Sequence, residues 1–597
     1  MHQETLKKQP LLPIKADSPS DEKSRSDRRA TLSAIIVIVF AAVAVYYNSF
    51  YGVFVYDDEL AILKNPTIRH LWPLSIPLSP PLTRGGITVV ARPLLNISFA
   101  LNYTISGTGT WSYHLFNFII HVLACLLLFG IVRRTLLMPR LYRRFGPAAW
   151  TIGLLSALLW TVHPLQTESV TYIVQRAESL AGMLYLLTLY CFIRAAGAGS
   201  ATHAQLRWYA CTIAACFLGT ACKEVIASAP LIVMLYDRTF VAGSFREAWR
   251  LRRGLYLGLA GTWLMLAWLV VSANGPRAGA AGFGIVSPLD YALTQCKAII
   301  LYLKLSFWPY PLVIDYGFDV VKDLREVWWQ GTIVMLLITG TIIALRRCPA
   351  LGFLGAWFFM ILAPSSSVVP IVVQTMAEHR MYLPLAAVIV LAATGLYQWA
   401  GKRFWVAIVP LAIVMGWLTV QRNRDFASEL GLWSKTVMLC PKNARTHLQL
   451  GNALYQAGRL EQAADECGIA LRILPDYAQA HCSLGWILAN MGKRDEAIGH
   501  YREALRFKPD YADAHMNLGI ELIQAGRMAE AIGHFEEAVR LQPDNPQAHG
   551  NLGCALVTAD RLPEAVEQFQ EVLRIDPSNG MAKKDLRNAL DLVQEIK

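Results

Sequence analysis

The sequence predicts an all-α chain in two parts: a polytopic helical membrane domain of about eleven spans, then an α-solenoid of short helical repeats. Composition is the first reason. Of 597 residues, 54% are hydrophobic and only 16% charged, against about 25% charged in soluble chains. The second is a series of apolar runs between residues 31 and 420, approaching the ~20 residues that a bilayer demands of a helix, with arginines gathered in alternate loops. The third is a strict periodicity beyond residue 440. Prolines at 441, 475, 509, 543 and 577 recur every 34 residues. The formal net charge of +12 fits positive-inside loops rather than nucleic-acid binding, because no Lys/Arg run is interleaved with aromatics.

Residues 1–30 are polar, of mixed charge and without apolar periodicity, which predicts a disordered cytoplasmic tail. The membrane domain follows over 31–423. Its first run, Thr31 to Phe50, has no small-residue cleavage site and reads as a retained span. Lys23, Arg25, Arg28 and Arg29 place its start inside. Further runs centre at 113–132, 148–163, 178–195, 207–222, 224–240 and 254–272, and later at 327–345, 350–364, 382–398 and 404–420. The segment 291–307 carries Lys297 and Lys304, costly in hydrocarbon, and counting it as a span would turn later arginines outside. It is expected to lie along the outer interface as an amphipathic helix. The C-terminal part then falls outside, with the acidic stretch Tyr56-Asp57-Asp58-Glu59.

In that C-terminal part, Gly451, Gly485, Gly519 and Gly553 keep the 34-residue interval. So do Ala463, Ala497, Ala531 and Ala565, and an aromatic recurs at Tyr501, Phe535 and Phe569. This Leu-Gly, Ala, aromatic and Pro pattern resembles the tetratricopeptide repeat. Residues 424–443 read as a partial leading repeat, 444–579 as four repeats and 580–597 as a capping helix. Such a solenoid has a concave face suited to extended peptides. His447, His481, His515 and His549 also recur, but equivalent positions of stacked repeats lie too far apart to share a zinc ion at ~2 Å. They read as packing or groove residues. The eleven cysteines form no CxxC pair, and their spacing defines no disulfide.

The expected outer loops collect ionisable residues at membrane boundaries, where charge is expensive and marks function. The first loop holds Asp57, Asp58, Glu59, Arg84 and Arg92; later ones hold His163, Glu168, Arg176, Glu178, the pair Lys223-Glu224, and Glu378-His379-Arg380. Cations of this kind suit a lipid phosphate, and a carboxylate suits removal of a hydroxyl proton. No Walker, GxGxxG, HExxH or GxSxG element stands in a credible context.

The stretches FVYDDELAILKNP (54–66), ARPLLNISFALNY (91–103), HPLQTESVTYIVQRAESL (163–180), CKEVIASAPLIVMLYD (222–237) and MAEHRMYLP (376–384), together with the repeats, resemble the transmembrane and tetratricopeptide repeat-containing O-mannosyltransferases and their bacterial relatives. That family is part of the C-type glycosyltransferase superfamily. The resemblance implies a glycosyltransferase moving a sugar, mannose in most members, from a polyprenyl- or dolichyl-phosphate donor to Ser/Thr hydroxyls of exported proteins. It implies Asp57 as the catalytic carboxylate with Asp58 in support. Donor phosphate is then expected at Arg92, Arg176, Lys223, His379 and Arg380, with His163, Glu168, Glu224 and Glu378 supporting. The lipid-phosphate sugar enters as substrate, no metal site is indicated and metal dependence is left open, and the repeats are expected to bind the protein acceptor. Tyr56 stands where the eukaryotic pattern has Trp. The expected setting is a bacterial inner membrane with periplasmic repeats, or an endoplasmic reticulum membrane with luminal ones. Two other readings stay open at this point: a non-catalytic repeat scaffold, and a ligase acting on lipid-linked glycans.

Overall fold

The computed structural model describes residues 21–79, 86–198, 203–272, 286–317, 320–366 and 374–596, and these are built from helices, turns and loops with no strand among them. The first helix, Asp21–Tyr46, begins well before the apolar run. Residues 21–30 are therefore helical rather than disordered. Residues 1–20 of the expected tail, and Arg84, lie outside the described residues.

By length and apolar composition, seven helical segments can cross a membrane: Arg28–Tyr51, Thr110–Leu136, Pro139–Val162, Ile173–Ala196, Phe245–Ser272, Trp328–Arg347 and Pro384–Asp425. The last contains two of the expected runs, as helices Pro384–Ala400 and Trp405–Asp425 joined by a tight turn at Gly401–Phe404. The remaining expected runs are helical but shorter. His203–Thr220 has 18 residues and Pro349–Leu362 has 14, whereas the run at 224–240 divides into a 3-10 turn, the helix Ala229–Tyr236 and a wider turn. Segment 291–307 falls within the helix Pro288–Phe307, capped by Ser287 Oγ accepting from Asp290 N at 3.1 Å. It buries Tyr291, Thr294, Ala298, Tyr302 and Leu305 along one face, the 3.6-residue periodicity of an amphipathic helix, and Lys297 pairs outside it with Glu326.

The repeats are helix pairs: Ala444–Gln456 with Leu460–Ile473, Ala478–Asn490 with Arg494–Phe507, Ala512–Gln524 with Met528–Leu541, and Pro546–Thr558 with Leu562–Ile575. Helix Glu429–Leu439 precedes them and Gly580–Ile596 closes the stack. The periodic glycine has a direct packing cause. A Cβ at Gly519 would stand 2.7 Å from the Phe535 ring, which is fully buried. Truncating that ring, Phe535→Ala, is expected to cost about 3–5 kcal/mol and to lower the unfolding temperature of the solenoid. An unchanged melt would refute this packing role. The periodic histidines tie each pair to the preceding turn: Nε2 of His447, His481, His515 and His549 sits 2.9–3.1 Å from the carbonyl oxygens of Pro441, Pro475, Pro509 and Pro543.

The solenoid does not hang free from the last span. A single apolar core runs from Val55, Ile62 and Tyr113 near the first loop through Tyr172, Phe426 and Trp433 into Leu448 and Leu454 of the first repeat. Val53 N donates to Phe426 O at 3.2 Å, and Tyr56 meets Trp433 edge-on at 5.5 Å. The first loop is thus held between the bundle and the repeats.

Candidate active site

The acidic stretch is shaped by its second member. Asp58 is fully buried, and its two oxygens accept from Val55 N at 3.0 Å and Val174 N at 2.8 Å. Satisfied in this way, Asp58 pins the loop and offers no surface to a ligand, so its expected catalytic part becomes a positioning one. Glu59 is exposed and pairs with Lys64 at 2.8 Å. Tyr56, between pinned neighbours, takes φ +47°, a conformation that costs a bulky residue free energy and is kept where surrounding contacts over-determine it.

Asp57 follows this bend and keeps part of its surface open. Its N–H donates to Tyr172 Oη at 3.0 Å, and its Oδ2 lies 3.5 Å from Thr88 Oγ1. Desolvation by the packed surroundings pushes its carboxyl up to about 6, while Thr88, Arg445 and Tyr172 work against that rise and Glu168 adds to it. A partly open carboxyl titrating there can take a proton near neutral pH.

Thr88 leads on to a cation. Its carbonyl accepts from Arg92 Nη1 at 2.6 Å, and Arg92 Nη2 reaches both oxygens of Glu224 at 3.3 Å. Ala91, with φ +53°, turns the backbone just ahead of Arg92, and Leu94 N donates to Ala221 O at 3.2 Å, which brings Lys223-Glu224 alongside. Lys223 Nζ is 2.6 Å from Glu178. The Arg92 and Lys223 side chains keep 14% and 16% of their surface exposed, enough to be reached by an anion.

Two other expected phosphate ligands are enclosed. Arg176 is fully buried; it donates to Asn117 Oδ1, Asn102 Oδ1, Ser98 O and Oγ, and Tyr113 O, and lies against the Phe99 ring. Arg380 is spent on the carbonyls of Ser365, Gln374 and Thr375. Both hold loops together and are corrected from phosphate ligands to structural cations. His379 is a third revision. Glu168 accepts from His379 N at 2.9 Å and sits 2.8 Å from Nδ1. Burial lowers the imidazole well below its ordinary value, chiefly by desolvation, so the ring is neutral, with Nδ1–H on Glu168 and Nε2 an acceptor. Such a nitrogen suits a hydroxyl better than a phosphate oxygen.

The supporting residues divide likewise. Glu168 orients His379, and Glu224 holds Arg92. Glu378 accepts from Val313 N at 2.6 Å and Tyr316 Oη at 2.9 Å and pairs with Arg422 at 3.5 Å, tying the loop 308–317 to the helix that leads into the repeats. His163 is a local cap, with Nδ1 accepting from Leu165 N and Nε2 facing Ser306 O. It stays outside the Asp57 group.

Sequence reading missed the contribution of the first repeat. Arg445 forms a double ion contact with Asp315 of the 308–317 loop, and its charge acts on both Asp57 and Tyr56. One signal was present: the equivalent repeat positions are Gln479, Asp513 and Gln547, so Arg445 is a basic exception to its own register. Thr88 and Tyr172 carry no comparable signal.

A bundle of membrane-length helices whose connecting loops hold a carboxyl and two cations, continuous with a tetratricopeptide solenoid, defines a polytopic membrane protein with a built-in repeat domain. The tetratricopeptide repeat family model matches residues 482–546 and 516–580. The chain is similar to the protein O-mannosyl-transferases: 24% identity over 479 residues with one from Caenorhabditis elegans (77% of this chain, 65% of that one), 26% over 486 residues with TMTC4 of Mus musculus (71% and 64%), and 23% over 512 residues with TMTC1 of Homo sapiens (75% and 56%). The chain thus spans less than two-thirds of the length of these relatives. Over most of its own length it is similar to these transmembrane and tetratricopeptide repeat-containing O-mannosyl-transferases.

Proposed function

We propose that the protein is a C-type glycosyltransferase that moves a sugar, mannose by resemblance, from a polyprenyl-phosphate donor to Ser or Thr hydroxyls of exported proteins. One observation carries this reading: a partly open carboxyl raised to about 6 is linked through Thr88 to the partly exposed cation Arg92, with Lys223 beside Arg92's partner Glu224, and lies against the first repeat. Asp57 takes the proton of the acceptor hydroxyl as its oxygen attacks the anomeric carbon. The bond from that carbon to the phosphate oxygen breaks with inversion, and the departing lipid phosphate keeps the electron pair. Arg92 and Lys223 balance the growing charge on that phosphate. Neutral His379, held by Glu168, positions a hydroxyl of the sugar or the acceptor through Nε2. The repeats bring the acceptor, and the site faces the periplasm of a bacterial inner membrane or, in the alternative setting, the lumen of the endoplasmic reticulum.

The test is transfer by the purified full chain in lipid nanodiscs, given polyprenyl-phosphate mannose and a Ser/Thr peptide mixture, with a gain of one hexose read by mass spectrometry. Peptide capture without transfer, or transfer only to a lipid-linked glycan, would overturn the proposal. Arg92→Ala and Lys223→Ala are each expected to raise the donor KM by about 10- to 100-fold, the worth of a charge-assisted hydrogen bond, with a smaller effect on the acceptor KM. An acceptor effect alone would place donor phosphate elsewhere. The rate should also follow the Asp57 proton. A base works deprotonated, so activity should rise with pH through about 6 rather than through the ordinary carboxylate value near 4. An acid limb near 4 would remove Asp57 from the role of base.

A further inference from the structure

A second recess, which this chemistry does not use, extends to the end of the bundle away from Asp57. It is a cavity of about 670 Å³ between the Thr110–Leu136 and Pro384–Ala400 helices, the helix Pro349–Leu362 and the short helix Pro139–Phe145, within the ~300–1,000 Å³ range of small-molecule pockets. Two helices fix its place. Thr110–Leu136 starts beside Asp57's group, where Tyr113 and Asn117 hold Arg176, and lines the cavity from Leu128 to Leu136. Pro384–Ala400 starts just after His379 and Arg380 and lines the cavity along its length, from Ala386 to Gln398.

The cavity has two chemistries. Its walls are apolar, with Leu128, Phe240, Phe353 and Trp357 among them, and its polar groups include Arg140, Arg144 and Gln398. Arg144 donates to the Gln398 side chain and Arg140 to Thr239 O at 2.5 Å. Among the described residues, no Asp or Glu lines the cavity. Two guanidinium groups therefore share an apolar recess in a membrane domain without a lining carboxylate to balance them, which is the charge pattern of a site for an acidic lipid head group.

We infer that this cavity binds an anionic glycerophospholipid of the adjoining leaflet, with an acyl chain against the apolar walls and the phosphate on Arg140 and Arg144. The site is independent of the proposed transfer reaction, and its test does not require activity. Purified full-length protein is mixed with phosphatidylglycerol or phosphatidylcholine, and bound lipid is counted by native mass spectrometry. Phosphatidylglycerol should be retained about fivefold or more over phosphatidylcholine, the order of preference that one arginine near an anionic lipid confers. The double variant R140Q/R144Q should lose that preference. Gly395→Phe should lower retention of both lipids, because Gly395 lines the cavity and a Cβ there meets nothing within 4 Å. Glycerol 3-phosphate should not compete, since a free phosphate brings no chain. Arg144 is exposed, so R144Q alone serves if the double variant does not fold. Equal retention of the two lipids by the unaltered protein, undiminished phosphatidylglycerol binding in R144Q and R140Q/R144Q, full retention in Gly395→Phe, or displacement by glycerol 3-phosphate would each overturn the inference.

Discussion

Asp57→Asn is expected to lower sugar transfer by about 10²- to 10⁴-fold, the range for losing a positioned general base, while the protein folds and binds donor as before. The substitution keeps the shape of the side chain. The contact that fixes this residue, Asp57 N–H to Tyr172 Oη, comes from the backbone and survives. The neighbouring change is expected to behave differently. In Asp58→Asn, an amide NH2 replaces one of two oxygens that accept backbone N–H groups in a fully buried site, so one donor faces another and the loop loses its anchor. Loss of stability in Asp58→Asn and loss of turnover in Asp57→Asn would separate positioning from chemistry. Glycopeptide formation by Asp57→Asn within a few-fold of the unaltered rate would sink the assignment.

Arg176→Ala is expected to have the largest effect on folding. Its guanidinium supplies Asn117 Oδ1, Asn102 Oδ1, Ser98 and Tyr113 O, and faces the rings of Phe99, Tyr113 and Phe116. Each buried acceptor left without a donor costs about 1–3 kcal/mol, and the empty volume adds to that. The loss should therefore be several kcal/mol, visible as a lower unfolding temperature in detergent and a poor yield of monodisperse protein. Lysine is a poor rescue, because an ammonium lacks the planar fork that reaches several acceptors at once. The alternative role has its own signature: a phosphate ligand would raise the donor KM and leave the melt unchanged. That result would reverse the structural assignment of Arg176.

These two outcomes show where sequence reading stops. Repetition is legible because a 34-residue register repeats one local packing problem, and Gly519 against Phe535 is its solution. Apolar runs are legible because lipid imposes length. The type of charge at a boundary is legible too, which is why Asp57, Arg92 and Lys223 stand out. What a single sequence does not hold is the partner. Arg176 and Arg92 look alike in one dimension, and they differ only because Asn102, Asn117 and Tyr113 close around the first. Arg445 and Asp315 are 130 residues apart, so their pairing follows from the docking of a whole domain. The helical start over 21–30 is silent in the sequence for a related reason: mixed charge suits a disordered tail and a helical turn equally well.

The anchoring of the first repeat has a consequence for how a hydroxyl would be chosen. Arg445 on Asp315 and Trp433 on Tyr56 give the solenoid a fixed origin beside Asp57, and each further helix pair is a graduation along a stiff scale. A polypeptide gripped two pairs along that scale would offer Asp57 whichever hydroxyl lies the matching length of chain away. Under the proposed reaction, modified positions would then obey a spacing from the gripped segment rather than a local motif, as though read from a tape measure whose zero is at the carboxylate.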